Sequence, residues 1–124
     1  MPFPVDISFI EAAEKSLGSK LPDPLRVHLQ RDNGGEFMIG EEPWWLFPVW
    51  DDSDRKRVSR TANHIVKETE LARSDSGLPG DAITIAHDGG GNYLFFKAGT
   101  DEFRFWDHET GDEGPVEIEW AQVH

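Results

Sequence analysis

The sequence predicts a single α+β domain over residues 1–124, with a largely antiparallel central sheet of about five to six strands and about three flanking helices. Three observations support this fold class. Apolar residues recur with a helical period in the first part of the chain and alternate with polar residues in the last part. The strand-like segments follow one another through short glycine turns, as in a meander. A chain of 124 residues also has the size of one domain.

Two short helices are expected in the first third of the chain. Ser8 and Glu11 have the spacing of a capping box, so the first helix should begin near Ser8, and Gly18 supplies the left-handed residue that ends it. Asp23 should cap the second helix, with Pro24 at its first position, where a missing amide costs nothing. The residues expected to face the core are Ile10, Ala13, Leu17, Leu25 and Leu29.

Two strands and a third helix should follow. Residues 36–39 and 44–47 are the expected strands, and Pro48 must end the second one or leave it at a sheet edge. Apolar residues at i, i+4, i+7, i+11 and i+14 then predict one helix over much of 58–73. These residues are Val58, Ala62, Ile65, Thr69 and Ala72.

The last part of the chain predicts the meander. Residues 83–87, 93–97 and 103–106 are expected to be strands, and the glycine-rich segment 88–92 connects the first two. A long acidic turn over 107–114 should precede a final strand with one solvent-exposed face. In that strand apolar and acidic residues alternate, namely Val116, Glu117, Ile118, Glu119 and Trp120.

Acidic side chains outnumber basic ones, and they are concentrated in two segments. The chain has 24 Asp and Glu against 12 Lys and Arg, a net charge of −12 with neutral histidine. Residues 36–54 contain six acids and no base, and residues 98–124 contain eight acids and only Arg104 as a base. This balance argues against nucleic acid or an anionic membrane as the main partner, because binding them relies on positive groups. If the two segments share a face, they attract a basic protein; otherwise they form a solvated surface.

Several other classes are excluded by composition. The chain has no cysteine, and therefore no disulfide or thiolate chemistry. Its first residues lack the basic and apolar regions of a signal peptide, and no stretch approaches the ~18 apolar residues of a membrane span. We therefore expect an unprocessed cytoplasmic protein that uses no cofactor.

Two histidine–carboxylate groups are candidates for metal binding or acid–base catalysis, since imidazole and carboxylate serve both purposes. Their residues are His87, Asp88, Asp107, His108 and Glu109. Both groups lie at strand ends without a His-x-x-x-His spacing, which favours ordinary turn residues. The segment 88–92 also lacks the lysine and the following helix of a phosphate-binding loop. We therefore expect no metal site and no enzymatic activity.

Three tryptophans lie within seven residues and are followed directly by acids. Tryptophan is enriched at interface hot spots, so this segment is a candidate partner-binding surface. In a small domain these rings can equally fill the core, and strand alternation predicts that Trp44 and Trp45 point to opposite faces. The candidate interface residues are Trp44, Trp45, Trp50, Asp51, Asp52 and Asp54.

Three stretches resemble the SUKH superfamily, which includes bacterial immunity proteins and fungal regulators of cell-wall synthesis. They follow one another in the family's order and are IEAAEKSLGSKLPDPLRVHLQRDNGGEF at 10–37, GDAITIAHDGGGNYLFF at 80–96 and FRFWDHETGDEGPVEIEW at 103–120. The resemblance implies an α+β domain with a protein-interaction role. It also implies structural roles for the residues that match its motifs, which are Asn33, Gly34, Gly35, Asp88, Gly90, Gly91 and Asn92.

The resemblance further implies neutralisation of a secreted toxin, often a nuclease, which is the family's usual role in bacteria. Our leading hypothesis is an immunity protein that binds a basic toxin domain, with acids in 36–54 and 101–119 steering the encounter and the tryptophans anchoring it. One alternative is an intracellular regulator or scaffold that binds an endogenous partner. Another is a small metal-dependent hydrolase that uses the histidine–carboxylate groups.

Overall fold

A computed structural model describes residues 3–124 and contains one antiparallel sheet, in which each of six strands pairs with the next along the chain. The strands are Gly35–Ile39 (β1), Glu42–Leu46 (β2), Ala82–His87 (β3), Tyr93–Lys97 (β4), Arg104–Trp106 (β5) and Glu113–Pro115 (β6). The helices are Ile7–Leu17 (α1), Asp23–Arg31 (α2), Arg55–Arg60 (α3) and Ile65–Asp75 (α4), with a 3-10 turn at Trp120–Gln122. The predicted α+β class and the meander are therefore confirmed.

The first two helices differ from the prediction only at their N-termini. The expected capping box does not form, because α1 begins after Asp6 and the Ser8 hydroxyl donates to the Asp6 carboxylate at 3.2 Å. Gly18 ends the helix in the left-handed region, with φ 73°, as expected. Asp23 is the first residue of α2, and Pro22 takes the cap position predicted for it. The predicted core residues of α2 are buried.

The predicted third helix is in fact two helices, because the helical conformation is interrupted at residues 61–64. Thr61 is buried, and its hydroxyl donates to the carbonyl oxygen of Arg57 at 2.8 Å and accepts the amide of Asp51 at 3.1 Å. His64 then caps α4, since its Nδ1 accepts the amide of Lys67 at 3.4 Å. The apolar period continues across this break, which is why the sequence pattern did not reveal it.

The predicted final strand is also wrong. β6 begins within the predicted acidic turn and ends one residue beyond it, where it pairs with β5, and residues 116–119 after it are irregular. The alternation nevertheless corresponds to burial, since Val116, Ile118 and Trp120 pack against the core while Glu117 and Glu119 are exposed. Alternation reports that one side of a segment is covered, which a tail lying across a core also satisfies.

The two faces of the sheet are covered differently. One face carries Ile83 and Phe96, which belong to the main core together with residues of α1 and α2. The other face packs against α4, where the hydroxyls of Thr69 and Thr84 lie 3.0 Å apart. Over β1 and β2 this second face is largely open to solvent, since Met38 is 53% and Trp45 36% exposed there.

The C-terminal tail, residues 116–124, connects the two edges of the sheet. After β6, the Trp120 ring lies 5.5 Å from Phe103 and 5.8 Å from His28. The tail then reaches β1 at the opposite edge, where Glu36 and His124 exchange two backbone hydrogen bonds of 3.0 and 2.9 Å. The tail therefore brings acidic residues of the segment 98–124 close to those of the segment 36–54.

Candidate functional site

The Asn33-Gly34-Gly35 segment holds several parts of the chain together. The Asn33 amide donates to the carbonyl of Val49 and accepts its N–H, both at 2.9 Å. Nε2 of His28 donates to the carbonyl of Gly34 at 2.7 Å, so this nitrogen carries the proton. Gly35 has φ 137°, and a Cβ there would lie 2.9 Å from Cγ1 of Val123. The segment thus links α2, β1, the 47–50 segment and the tail.

The loop over 88–92 is built around one carboxylate. Asp88 accepts the amides of Gly90 at 2.8 Å and Asn92 at 3.2 Å, and Nδ2 of Asn92 donates to it at 2.9 Å. Partial burial raises the pKa of Asp88, but these hydrogen bonds outweigh it and leave the pKa below its usual value. Asn92 also accepts the backbone N–H and Nδ1–H of His108 at 3.1 and 2.8 Å. It therefore ties this loop to the β5–β6 connection.

The histidine–carboxylate groups do not converge on a common point. His87 stacks on Phe47, with ring centroids 5.0 Å apart, whereas His108 bonds to Asn92. Asp107 accepts the amide of Glu109 at 2.8 Å, in an ordinary turn. Within residues 3–124, no group of three histidine, aspartate or glutamate side chains is placed to hold a metal ion.

The three tryptophans occupy three different places. Trp44 is 2% exposed and lies in the core edge-on to Phe105, so a partner cannot reach it. Trp45 is 36% exposed on the opposite side of β2, as alternation predicts, and its ring lies 5.7 Å from His87. Trp50 is 39% exposed and leans on His64 at 5.4 Å. The cluster in sequence is therefore not a cluster on the surface.

Trp45 lines an open cleft of about 670 Å³ between the exposed face of β1 and β2 and the segment around α3. Its walls include Glu36 and His87 on the sheet and Arg57 and Asn63 on the other side. Burial lowers the pKa of His87, so its imidazole is neutral at pH 7, and Glu36 supplies the negative charge of this wall. The cleft combines an accessible aromatic ring with both signs of charge.

Two of the three candidate aspartates have structural roles beside this cleft. Asp51 is 3% exposed, and its carboxylate accepts the Ser53 hydroxyl at 2.7 Å and lies 3.5 Å from Nε of Arg57. Asp54 caps α3, and the Arg57 amide that it accepts lowers the pKa of Asp54. Asp52 is exposed. Of the six candidate residues, Trp45, Trp50 and Asp52 thus present side chains to solvent without such a role.

A smaller apolar groove of about 260 Å³ surrounds Trp50, between α1 and the start of α4. Phe9, Ala12 and Val66 line it together with His64. Burial lowers the pKa of His64, which keeps the Nδ1 that caps α4 unprotonated at pH 7. Trp50 and Trp45 therefore belong to separate depressions.

The two acidic segments meet at the outer edge of β1. Glu36 from the first segment and Glu119 from the second line one depression of about 310 Å³, whose floor includes Met38. The hairpin end beyond Met38 adds Glu41 and Glu42, both exposed. Among residues 3–124, no lysine or arginine forms an ion pair with these four glutamates. We name Glu36, Met38, Glu41, Glu42 and Glu119 the acidic edge.

The acids at the opposite edge of the sheet are instead paired. The carboxylate of Glu113 lies 3.2 Å from Nε of Arg104 and 3.6 Å from Nζ of Lys97. Glu102 lies 2.6 Å from the same arginine. The charge of this part of the second segment is therefore partly neutralised within the chain.

Met38 and the path of the tail are the features of this candidate site that sequence reasoning missed. The pattern of Glu36, Met38 and Gly40 alternating with Phe37 and Ile39 indicates that Met38 lies on the solvent side of β1. That signal was available in the sequence. The approach of Glu119 to this edge was not, because it depends on where an irregular tail returns to the sheet.

A family model described as the SMI1 / KNR4 family (SUKH-1) matches residues 4–121 of the chain. The match includes all six strands and therefore spans the whole sheet, and it ends within the 3-10 turn of the tail. No curated protein matches the chain. No helix within residues 3–124 has the length and apolar character needed to cross a membrane.

Proposed function

Because this chain belongs to the SMI1 / KNR4 family (SUKH-1), a family of immunity- and regulator-type protein-interaction domains, we propose that it binds and neutralises a basic toxin domain as an immunity protein. The proposal involves no catalytic step. It requires a surface that recognises a basic protein and a way to hold that protein long enough to block it.

The acidic edge is the observation that carries the proposal. Glu36 and Glu119, about 80 residues apart in the chain, line one depression with the exposed Met38, and Glu41 and Glu42 are exposed at the adjoining hairpin end. None of the four has a basic ion-pair partner among residues 3–124. Unpaired charges of one sign steer an oppositely charged protein and raise its association rate. Paired charges contribute far less to such a field, so the other edge of the sheet adds little.

Apolar contact beside the acidic edge can supply the residence time. Trp45 and Met38 lie on the same uncovered face of the sheet, since Glu36 and Trp45 are cross-strand partners. Buried aromatic anchors dominate the binding energy of many interfaces, and their removal acts mainly on dissociation. We therefore assign steering to the glutamates and anchoring to Trp45 and Met38.

The basic helix α3 does not contradict this assignment. Its four bases are Arg55, Lys56, Arg57 and Arg60. Arg57 is paired with Asp51 and Asp54, and Asp52 lies in the same segment. The segment 51–60 therefore carries a net charge near zero, which does not favour a polyanionic partner.

The test begins with co-purification of the tagged protein from its native cells at low salt and identification of the bound protein by mass spectrometry. The purified partner is then assayed for toxic activity, for instance nuclease activity, while this protein is titrated in. We expect loss of that activity at an equimolar ratio. A bound endogenous protein without toxic activity would contradict neutralisation and favour the regulator.

Two charge-matched variants sharpen this test. The triple variant Glu36→Gln/Glu41→Gln/Glu42→Gln removes charge from the acidic edge, and Glu102→Gln/Asp112→Gln/Glu113→Gln removes the same charge from the opposite edge. The first should weaken neutralisation at least tenfold at low salt, and the second much less. Equal losses would show that net charge, not the acidic edge, determines binding.

A further inference from the structure

The outer side of β1 presents backbone groups that the sheet does not use. Glu36 directs both its N–H and its C=O away from β2, to His124. Backbone groups of alternate strand residues point to the same side, so Met38 directs its N–H and C=O outward as well. Outside the β1–β2 ladder, no backbone group of residues 3–124 bonds to Met38.

The register of β1 and β2 agrees with this direction. Met38 lies opposite Pro43, which has no N–H to donate. In a cross-strand pair whose backbone groups point away from each other, a proline costs no hydrogen bond between the two strands. The ladder is therefore intact, and Met38 is left with two outward groups and a side chain that is 53% exposed.

The tail itself shows how a chain can bind at this edge. Glu36 and His124 exchange both backbone hydrogen bonds, as paired residues of antiparallel strands do. Continued in register, Gln122 would lie opposite Met38, but Trp120–Gln122 forms a 3-10 turn. The pairing stops there and leaves the depression of about 310 Å³ between Met38 and the turn.

We propose that this gap receives a short extended segment of a basic protein partner, which hydrogen-bonds to the backbone of Met38 and continues the pairing that the tail begins. Addition of a strand to a sheet edge is a common mode of peptide recognition. The exposed glutamates of the acidic edge select lysine or arginine in the added segment. This inference rests on the proposed function and specifies how the partner is bound.

Charge decides between the possible occupants. A second copy of this chain, paired edge to edge, would bring the exposed glutamates of two acidic edges close together, and juxtaposed like charges oppose association. A basic segment gains from the same arrangement. The opposite edge is a poorer site, because β6 has three residues and ends in Pro115.

The probe is a seven-residue capped peptide in which lysine and valine alternate, tested on the full chain at low salt. Amide hydrogen exchange of Met38 is followed by NMR with and without the peptide. We expect at least tenfold slower exchange of the Met38 amide at saturation. The matched control peptide has the same charge but carries N-methyl groups on alternate amides, in both possible frames, so it cannot pair along a strand.

Two protein variants test the same contact from the other side. Met38→Pro removes the outward N–H, whereas Met38→Leu keeps it with a similar side chain. Peptide affinity should fall about tenfold in the proline variant and stay within about twofold in the leucine variant. If the proline variant does not fold, the N-methylated peptides decide the question alone.

Each outcome has one meaning. Slower exchange of the Met38 amide with the unmodified peptide, but not with the N-methylated peptides, supports strand addition. Equal binding of both kinds of peptide, without protection of Met38, overturns it in favour of attraction by charge alone, and leaves the proposed function standing. Protection of Met38 that increases with protein concentration and needs no peptide overturns it in favour of a second copy. Failure of neutralisation is scored separately, by the activity of the co-purified partner.

Discussion

The two edges of the sheet carry acids in comparable number but in different surroundings. At the β6 edge, Arg104 and Lys97 lie within 3.6 Å of glutamate carboxylates. At the β1 edge, the glutamates of the acidic edge have no such partner among residues 3–124. The net charge of −12 is therefore unevenly distributed over the surface. Local pairing, rather than a sum over the sequence, decides where a field acts on a partner.

The edges also differ in their backbones. An open strand edge can recruit unwanted strands, and short strands and proline are two ways of limiting this. β6 has both features, whereas β1 is blunted only where His124 covers Glu36. The edge with unpaired acids is thus also the edge with unpaired backbone groups. This coincidence is the reason for proposing β1, and not β6, as the edge that binds the partner.

The largest expected effect is that of Gly35→Ala, which breaks the closure of the β1 edge. A Cβ would lie 2.9 Å from Cγ1 of Val123 and 3.2 Å from the His124 carbonyl oxygen, at a φ of 137°. We expect a loss of about 2–4 kcal/mol in the free energy of unfolding, measured by urea denaturation. The amide of Glu36, which bonds to His124, should also lose its protection from hydrogen exchange.

Gly114→Ala is the matched control at the other edge. Gly114 lies in β6 with no atom within 4 Å of its added Cβ and without a positive φ. Its replacement should change stability by less than about 0.5 kcal/mol. Equal effects of the two substitutions would contradict the role of Gly35 in seating the tail.

The sequence predicted those parts of the fold in which local chemistry decides the outcome. Gly18 ends α1, and Leu25 and Leu29 face the core, because conformational freedom and apolar spacing act within a few residues. The break at Thr61 escaped prediction because its buried hydroxyl accepts the amide of Asp51, a contact between separate segments that apolar spacing does not reveal. The last strand failed because alternation cannot distinguish a ladder from a tail that is covered on one side.

The sequence pointed to acids and tryptophans for a binding surface, but it did not indicate how the fold arranges them. Alternation correctly separated Trp44 from Trp45. It could not show that Trp50 lies in another depression, since Pro48 redirects the chain after β2. The meeting of Glu36 with Glu119 depends on the return of the tail to β1, which only tertiary packing determines.

The second largest effect concerns the loops near the β6 edge. Asn92→Ala removes the side-chain bonds to Asp88 and to His108. We expect a loss of about 1–2 kcal/mol, because the remaining donors and acceptors are only partly solvated. Asn63→Ala, at an exposed position in the cleft, is the control and should be nearly neutral. A neutral Asn92→Ala would show that this edge does not depend on the loop network.

A smaller effect arises from two histidines between the edges. Burial lowers the pKa of His64 and His87 from 6.5, so the fold favours their neutral forms. As the pH falls, both histidines are protonated in the unfolded chain before they are protonated in the folded protein. Their contribution to the free energy of unfolding is therefore complete above about pH 6.5 and is lost as the pH falls below it. Urea unfolding at pH 7.5 and 5.5 should show the decrease.

The variant His64→Gln/His87→Gln separates proton uptake from packing. Its stability at pH 7.5 reports the lost contacts, since both imidazoles are neutral there in the folded protein. The further decrease between pH 7.5 and 5.5 should be smaller than in the unchanged protein. An identical decrease would show that other groups cause the pH dependence.

The smallest expected effect is kinetic and compares the edges directly. Glu36→Gln/Glu119→Gln should lower the association rate of the lysine–valine peptide about threefold at low salt, and much less at high salt, because screening shortens the reach of the charges. Glu102→Gln/Glu113→Gln removes equal charge where Arg104 and Lys97 already neutralise it. Its rate should change by less than about 1.5-fold. Stopped-flow fluorescence at several salt concentrations measures both, and equal slopes against salt would show that the peptide responds to total charge rather than to the β1 edge.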